Sequence, residues 1–339
     1  MKKAIYVVIA LSLFACKKEV ISNQPGSINN EKSTTASSSI ASLISANYTI
    51  IFHAATPKQT DAAIVTNSSG DVTQTAYLPQ NASARKDRLL IFIPGTFGLP
   101  SNYDEVCEAA AANGYYAFAV AYSNLLPVEF EAGVKTNDST VENILHEDLT
   151  GENVSSKVTT SRTNSFENRI IKMISYMDSV YPAENWKRFL TADKQIQWNK
   201  ISVGGHSQGS DHAMYWSKVR SLFRATFIGG PGSFMLRNGS YPSFMQATGA
   251  TSTGNLYGFN HTGDPTRKWA DVQKVWMILN IPGVPNSVDD GSVDNSHQLI
   301  TSLPDNDPHS ATIADDVTPI NAATGKPVYS KVWQYMMFP

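Results

Sequence analysis

Gly205-His206-Ser207-Gln208-Gly209 lies between the apolar run Ile201-Ser202-Val203-Gly204 and Ser210-Asp211-His212-Ala213-Met214-Tyr215-Trp216, a stretch that reads as helix. A Gly-x-Ser-x-Gly pentapeptide joining strand to helix suits a turn so sharp that its serine takes strained backbone angles. Flanking side chains would collide with strand and helix, and glycines two residues before and after remove them. The serine oxygen then stands at the carboxyl end of the strand. Beneath it lies a helix N-terminus, whose partial positive charge favours a developing oxyanion.

Other parts fall in order around this turn. Leu89-Leu90-Ile91-Phe92-Ile93 is continuously apolar, as in a parallel strand buried on both faces, and Pro94-Gly95-Thr96 ends it. Downstream come the strand-like Ala225–Pro231 and Leu256–Asn260, the latter followed by His261-Thr262-Gly263-Asp264-Pro265. His297–Thr301 reads as the last strand, the turn Asp305–Pro308 follows, and His309 comes next.

With these parts the chain resembles the α/β-hydrolase superfamily from about Arg88 to the C-terminus, Ser207 lying in the nucleophile elbow. The resemblance implies an α/β fold with a mostly parallel central sheet and helices on both faces. It implies Ser207 as nucleophile, Asp264 as orienting acid and His309 as general base, in the chain order of that superfamily. It assigns the oxyanion-hole N–H groups to Thr96 and Gln208, with Phe97 as the alternative to Thr96. Many relatives carry His-Gly where this chain has Pro94-Gly95, but a backbone donor survives that change. Asp264 could instead cap a helix with Pro265 in its first position. His297 competes with His309 for the base, but falls at a strand start, the end of a parallel sheet opposite the catalytic face.

The chain has 339 residues, 42% of them hydrophobic, enough for one large α/β domain. Its net charge of −2 leaves no electrostatic footprint for nucleic acid. Residues 1–15 read as a signal peptide, with Lys2-Lys3 before an apolar core too short to span a bilayer. Leu13-Phe14-Ala15-Cys16 resembles a bacterial lipobox with lipid on Cys16, and Lys17 lacks the aspartate of an inner-membrane retention signal. An exported outer-membrane lipoprotein is expected, touching the membrane through the lipid alone; a plain signal peptide is the other reading. Residues 16–45 are a polar, disordered tether and residues 46–339 the catalytic domain. Cys107, the other cysteine, has no partner if Cys16 carries lipid, and reads as a small buried hydrophobe.

Within the domain, Tyr48–His53 and Val72–Leu78 form an antiparallel edge around the turn Asn67–Gly70. Helices are expected over Ser101–Gly114 with Ser101 as cap, over Asn164–Tyr181 with an Asn164/Glu167 capping box, over Thr266–Leu279, and at Val332–Phe338. Residues 123–163 read as a long loop insertion near the active-site rim. His146-Glu147-Asp148 reads as solvated charge rather than a metal site, and Asp289, Asp290 and Asp294 fit no calcium loop. No His-Glu-x-x-His occurs and two cysteines build no thiolate cluster, so no metal or cofactor is expected. Phe234, Met235, Tyr241, Phe244 and Met245 are either an apolar rim or core.

The expected activity is hydrolysis of a carboxylic ester, on a small molecule or an acylated polymer, through an acyl-enzyme. A peptidase or acyltransferase using the same intermediate, and a catalytically silent binding lipoprotein, are the alternatives. Acyl and alcohol preference and oligomeric state are not encoded in any motif found.

Overall fold

Leu89, Ile91 and Ile93 pack into one hydrophobic cluster and Leu90 and Phe92 into another, which is why this strand is apolar without alternation. It is β3 of a sheet comprising β1 (Ile50–Ala55), β2 (Gln74–Pro79), β3 (Leu89–Ile93), β4 (Tyr116–Ala119), β5 (Ile201–His206), β6 (Arg224–Ile228), β7 (Leu256–His261), β8 (Asn286–Ser287) and β9 (Gln298–Thr301). These elements come from a computed structural model, which describes residues 49–65, 72–133, 137–293 and 296–339. The spatial order is β1-β2-β4-β3-β5-β6-β7-β9-β8. β2 runs antiparallel to both β1 and β4. From β4 to β8 every neighbouring pair is parallel.

Parallel strands need crossover connections, and helices supply them. They are α1 (Asp104–Ala112), α2 (Thr140–Thr150), α3 (Phe166–Val180), α4 (Gln208–Val219), α5 (Trp269–Ile278) and the closing α6 (Ser330–Met337). The buried faces of α2 to α5 join the cluster of Leu89, Ile91 and Ile93, while α1 and α6 join that of Leu90 and Phe92. The fold is therefore the α/β-hydrolase fold, with its mostly parallel sheet, helices on both faces and antiparallel opening edge. On α6, Val332, Trp333, Met336 and Met337 are buried, each such side chain contributing about 1.5–3 kcal/mol. Cys107 is buried on α1. Because β3, β5, β6, β7 and β9 share one direction, the segments leaving their carboxyl ends converge on one edge of the sheet, where open α/β sheets bind ligands.

Several boundaries differ from the sequence expectation. A 3-10 turn, Pro100–Tyr103, precedes α1. The helix is capped not by Ser101 but by Asp315, whose Oδ2 accepts the N–H groups of Asp104 (2.8 Å) and Glu105 (3.2 Å). Ser165, not Asn164, caps α3 by accepting from Asn168 N–H, and Asn164 Oδ1 accepts from Val65 N–H at 2.9 Å instead. The 123–163 insertion is not a plain loop. It holds a short helix, Val128–Ala132, and α2. Glu147 is buried there and accepts the N–H groups of Val154, Ser155 and Thr160. Asp148 accepts the Thr160 hydroxyl, and His146 bonds Tyr215 and Glu152. The charged triplet thus folds the insertion, and a polar hub of this kind leaves no apolar period in the sequence. Of the five rim or core residues, Phe234, Phe244 and Met245 are buried, whereas Met235 is half exposed.

The signal segment, Cys16, the tether, Asn67–Gly70 and Asp294 lie outside the described residues. No helix among the described residues is long and apolar enough to cross a membrane.

Candidate active site

Ser207 has φ 53° and ψ −116°, a region a non-glycine residue occupies at a cost of roughly 1–3 kcal/mol. The surroundings hold it there. Its N–H donates to Ile228 O (2.9 Å), and its carbonyl accepts from the N–H (2.9 Å) and hydroxyl (2.5 Å) of Ser210. The flanking glycines are required by contact. A Cβ on Gly205 would stand 2.1 Å from Gly209 O, and one on Gly209 2.0 Å from Ile93 O. Ser207 is largely buried but opens on a cavity of 270 Å³ shared with Thr96, Phe97, His309, Asn102 and Asp316.

Asp264 leaves the carboxyl end of β7. Its Oδ1 accepts the N–H groups of Thr266 (2.8 Å) and Arg267 (2.9 Å). Its Oδ2 accepts from His309 Nδ1 at 2.7 Å. Burial opposes ionisation of this carboxyl, but the His309 bond and the two backbone N–H groups outweigh it and hold it below its ordinary range. The carboxylate therefore serves the turn with one oxygen and His309 with the other. Asp264 closes a tight turn rather than a helix, since α5 starts at Trp269, not Thr266, and Lys268 occupies its cap position. With Nδ1–H committed to Asp264, the nitrogen of His309 left for proton transfer is Nε2. No hydrogen bond joins His309 to Ser207 among the described residues, although both line the same cavity. Such bonds often tighten only when substrate fills the site.

His297 lies elsewhere. It precedes β9, which is parallel to β7. Its Nδ1–H donates to Leu256 O (3.0 Å), and its ring stacks on Tyr257 with centroids 4.0 Å apart. Leu256 opens β7, so His297 sits at the edge opposite Ser207.

The N–H groups of the loop after β3 differ in whether they already have an acceptor. Gly95 N–H donates to Tyr103 Oη (3.2 Å), Phe97 N–H to Asn124 O (3.0 Å), and Gly98 N–H to Gly95 O (3.0 Å). The Phe97 N–H is thus already engaged. The N–H groups of Thr96 and of Gln208, the first residue of α4, have no acceptor among the described residues. Side chains brace the same pair. Thr96 Oγ1 donates to Gln208 Oε1 (2.8 Å), and Gln208 Nε2 donates to Leu126 O (2.9 Å). Buried Asn124 donates to Gly95 O (2.7 Å) and Gly98 O (2.8 Å), fixing the loop's shape.

Residues the sequence reading passed over complete the scaffold. Arg267, its side chain about 10% exposed, is ion-paired with Asp211 Oδ2 of α4 (2.8 Å) and with Glu129 of the insertion. It clamps the Asp264 turn to α4 and to the 123–163 segment. Asn124 and Arg267 carry no local motif that could have marked them, because their partners are far away in sequence.

No protein-family model matches the sequence, and no curated protein matches it. Among solved structures, it is similar to a protein from Klebsiella pneumoniae subsp. pneumoniae MGH 78578 provisionally named a dienelactone hydrolase. The two are 13% identical, over 85% of this chain and 98% of that one, with a TM-score of 0.40.

Proposed function

We propose that this chain is a serine hydrolase that cleaves carboxylic esters through an acyl-enzyme. The observation that carries the reading is the divided carboxylate of Asp264. One oxygen is held by two backbone N–H groups and the other orients His309 toward the cavity that Ser207 opens on. His309 Nε2 takes the Ser207 proton as the hydroxyl attacks the ester carbonyl, and Asp264 stabilises the imidazolium. The N–H groups of Thr96 and Gln208 receive the oxyanion, where one lost donor typically raises the barrier by about 3 kcal/mol. The protonated His309 then gives its proton to the leaving alcohol. Water, deprotonated by the same ring, releases the acid.

Exposed apolar side chains favour an apolar substrate part. Phe97, two-thirds exposed, lines the catalytic cavity, and its N–H donates to the carbonyl of Asn124, the residue before exposed Leu125 and Leu126. We further propose, from the sequence, that the protein is exported and held at the outer membrane by lipid on Cys16.

The test is hydrolysis of p-nitrophenyl esters from acetate to long acyl chains, with His309→Ala and His297→Ala alongside. Activity lost with His309→Ala and retained with His297→Ala supports the assignment. The reverse pattern removes His309 as base. No hydrolysis of any ester favours the silent binding protein.

A further inference from the structure

His206, one residue before the elbow serine, makes bonds that the acyl-enzyme mechanism does not use. Its Nε2 lies 3.0 Å from the backbone carbonyl of His309, and its Nδ1 lies 2.9 Å from Tyr103 Oη. A carbonyl oxygen only accepts, so Nε2 carries the proton. Burial, reinforced by nearby His309, pushes the imidazole down to about 3, so the ring is neutral and Nδ1 is a bare acceptor. Tyr103 must therefore donate its hydroxyl proton to Nδ1, and its oxygen accepts the Gly95 N–H. The result is one chain of defined polarity: Gly95 N–H to Tyr103 O–H to His206 Nδ1, then His206 Nε2–H to His309 C=O.

We propose that His206 and Tyr103 are positioning residues that tie the oxyanion loop to the loop carrying His309, across the elbow. The role rests on Ser207 and His309 acting as proposed above. The chain spans the two features that must be set to each other within a fraction of an ångström, the Thr96 N–H and the His309 ring. Gly95 precedes Thr96 directly, and the accepting carbonyl belongs to His309 itself. Packing is close on both sides of the His206 ring. A Cβ on Gly95 would lie 3.2 Å from His206 Nδ1 and from Ser207 Cβ. Gly229, at φ +57°, would set a Cβ 3.3 Å from both the His206 and His309 rings. The two imidazoles stand 4.8 Å apart at 41°. Tyr103 and His206 also line the cavity of Ser207 and His309, and they exert the positioning role through the groups they hold.

The test separates the two ends of the chain. His206→Asn keeps an acceptor near Nδ1 for Tyr103 but has no donor for the His309 carbonyl. His206→Gln can carry an amide N–H to about the Nε2 position. Tyr103→Phe frees Gly95 and His206 together. Each full-length variant is assayed on p-nitrophenyl butyrate per active site, titrated by its acylation burst, beside its melting temperature. The role predicts that His206→Asn and Tyr103→Phe lose about 10- to 100-fold in kcat, with KM within about two-fold. It predicts that His206→Gln recovers part of the His206→Asn loss, because it restores the donor to the His309 carbonyl, and keeps a residual loss because Tyr103 has no acceptor at the Nδ1 position. A merely structural role lowers the titrated fraction and the melting temperature but leaves kcat per site unchanged, and that pattern overturns the proposal. Equal losses for Gln and Asn overturn it too. Retention of full activity by Ser207→Ala would instead overturn the ester-hydrolase reading, and the positioning role with it.

Discussion

Asp264→Asn should be more damaging to catalysis than Asp264→Ala, although it removes less of the side chain. In the parent, Oδ1 accepts two backbone N–H groups and Oδ2 accepts from His309 Nδ1. Asparagine has one oxygen to share between those positions. Turning it toward His309 would point an NH2 at the N–H groups of Thr266 and Arg267, losing two hydrogen bonds of about 1 kcal/mol each. The amide therefore keeps its oxygen in the turn and presents NH2 to His309 Nδ1. The imidazole must accept there, so its proton moves to Nε2, the position that should receive the Ser207 proton. Loss of the correct tautomer in a triad of this kind costs on the order of 10⁴ in kcat, about 5.5 kcal/mol of barrier. In Asp264→Ala no donor faces Nδ1, and part of the population keeps the productive tautomer. The turn, however, loses both backbone bonds, about 2 kcal/mol of stability. The expected result is that Asp264→Asn melts near the parent but is at least about 10-fold slower than Asp264→Ala, which melts lower. The assay is p-nitrophenyl butyrate turnover beside thermal unfolding of the same samples. Asparagine activity within ten-fold of the parent, or above that of alanine, would refute the assignment of the two oxygens.

Gly209→Ala should cost about 3 kcal/mol or more, because its Cβ meets the Ile93 carbonyl at 2.0 Å and backbone cannot swing away; the urea midpoint reads the loss. Arg267→Leu strands fully buried Asp211 with the Gly232 N–H as its remaining partner, which should cost about 3–5 kcal/mol in chemical denaturation. Burial raises the Asp315 carboxyl from 3.8 to about 8; backbone N–H bonds from Glu105 and Asp104 oppose this, and the charges of Glu105 and Asp104 reinforce it. Its folded value exceeds its unfolded one, so its stabilising contribution is complete below 3.8 and is lost as pH rises toward 8. Asp315→Asn, neutral throughout, should gain on the parent between pH 5 and pH 8 by on the order of 2 kcal/mol; parallel pH–stability curves would contradict this.

The elbow was legible in sequence because its cause is local. Gly205 and Gly209 answer contacts made within the turn and with the strand beside it. The apolar run of β3 and the period of α3 were legible for the same reason, since each records its own buried faces. The start of α1 was not, because its capping carboxylate, Asp315, comes from about 210 residues away. The helices of the 123–163 insertion were hidden by a polar centre, Glu147, that satisfies backbone donors instead of packing methyl groups. At the site, the order of Ser207, Asp264 and His309 was readable as a motif. The bonding of His206 was not: its ring direction follows from the elbow, but its partners Tyr103 and His309 are each 103 residues distant.

The most direct test of the central claim is labelling of the protein with a fluorophosphonate, located by peptide mass spectrometry in the parent and in Ser207→Ala. An activated serine forms the adduct and an ordinary one does not. The account predicts one adduct per chain on the peptide containing Ser207, absent from Ser207→Ala. A protein that takes no label, or a label that persists in Ser207→Ala, would contradict it.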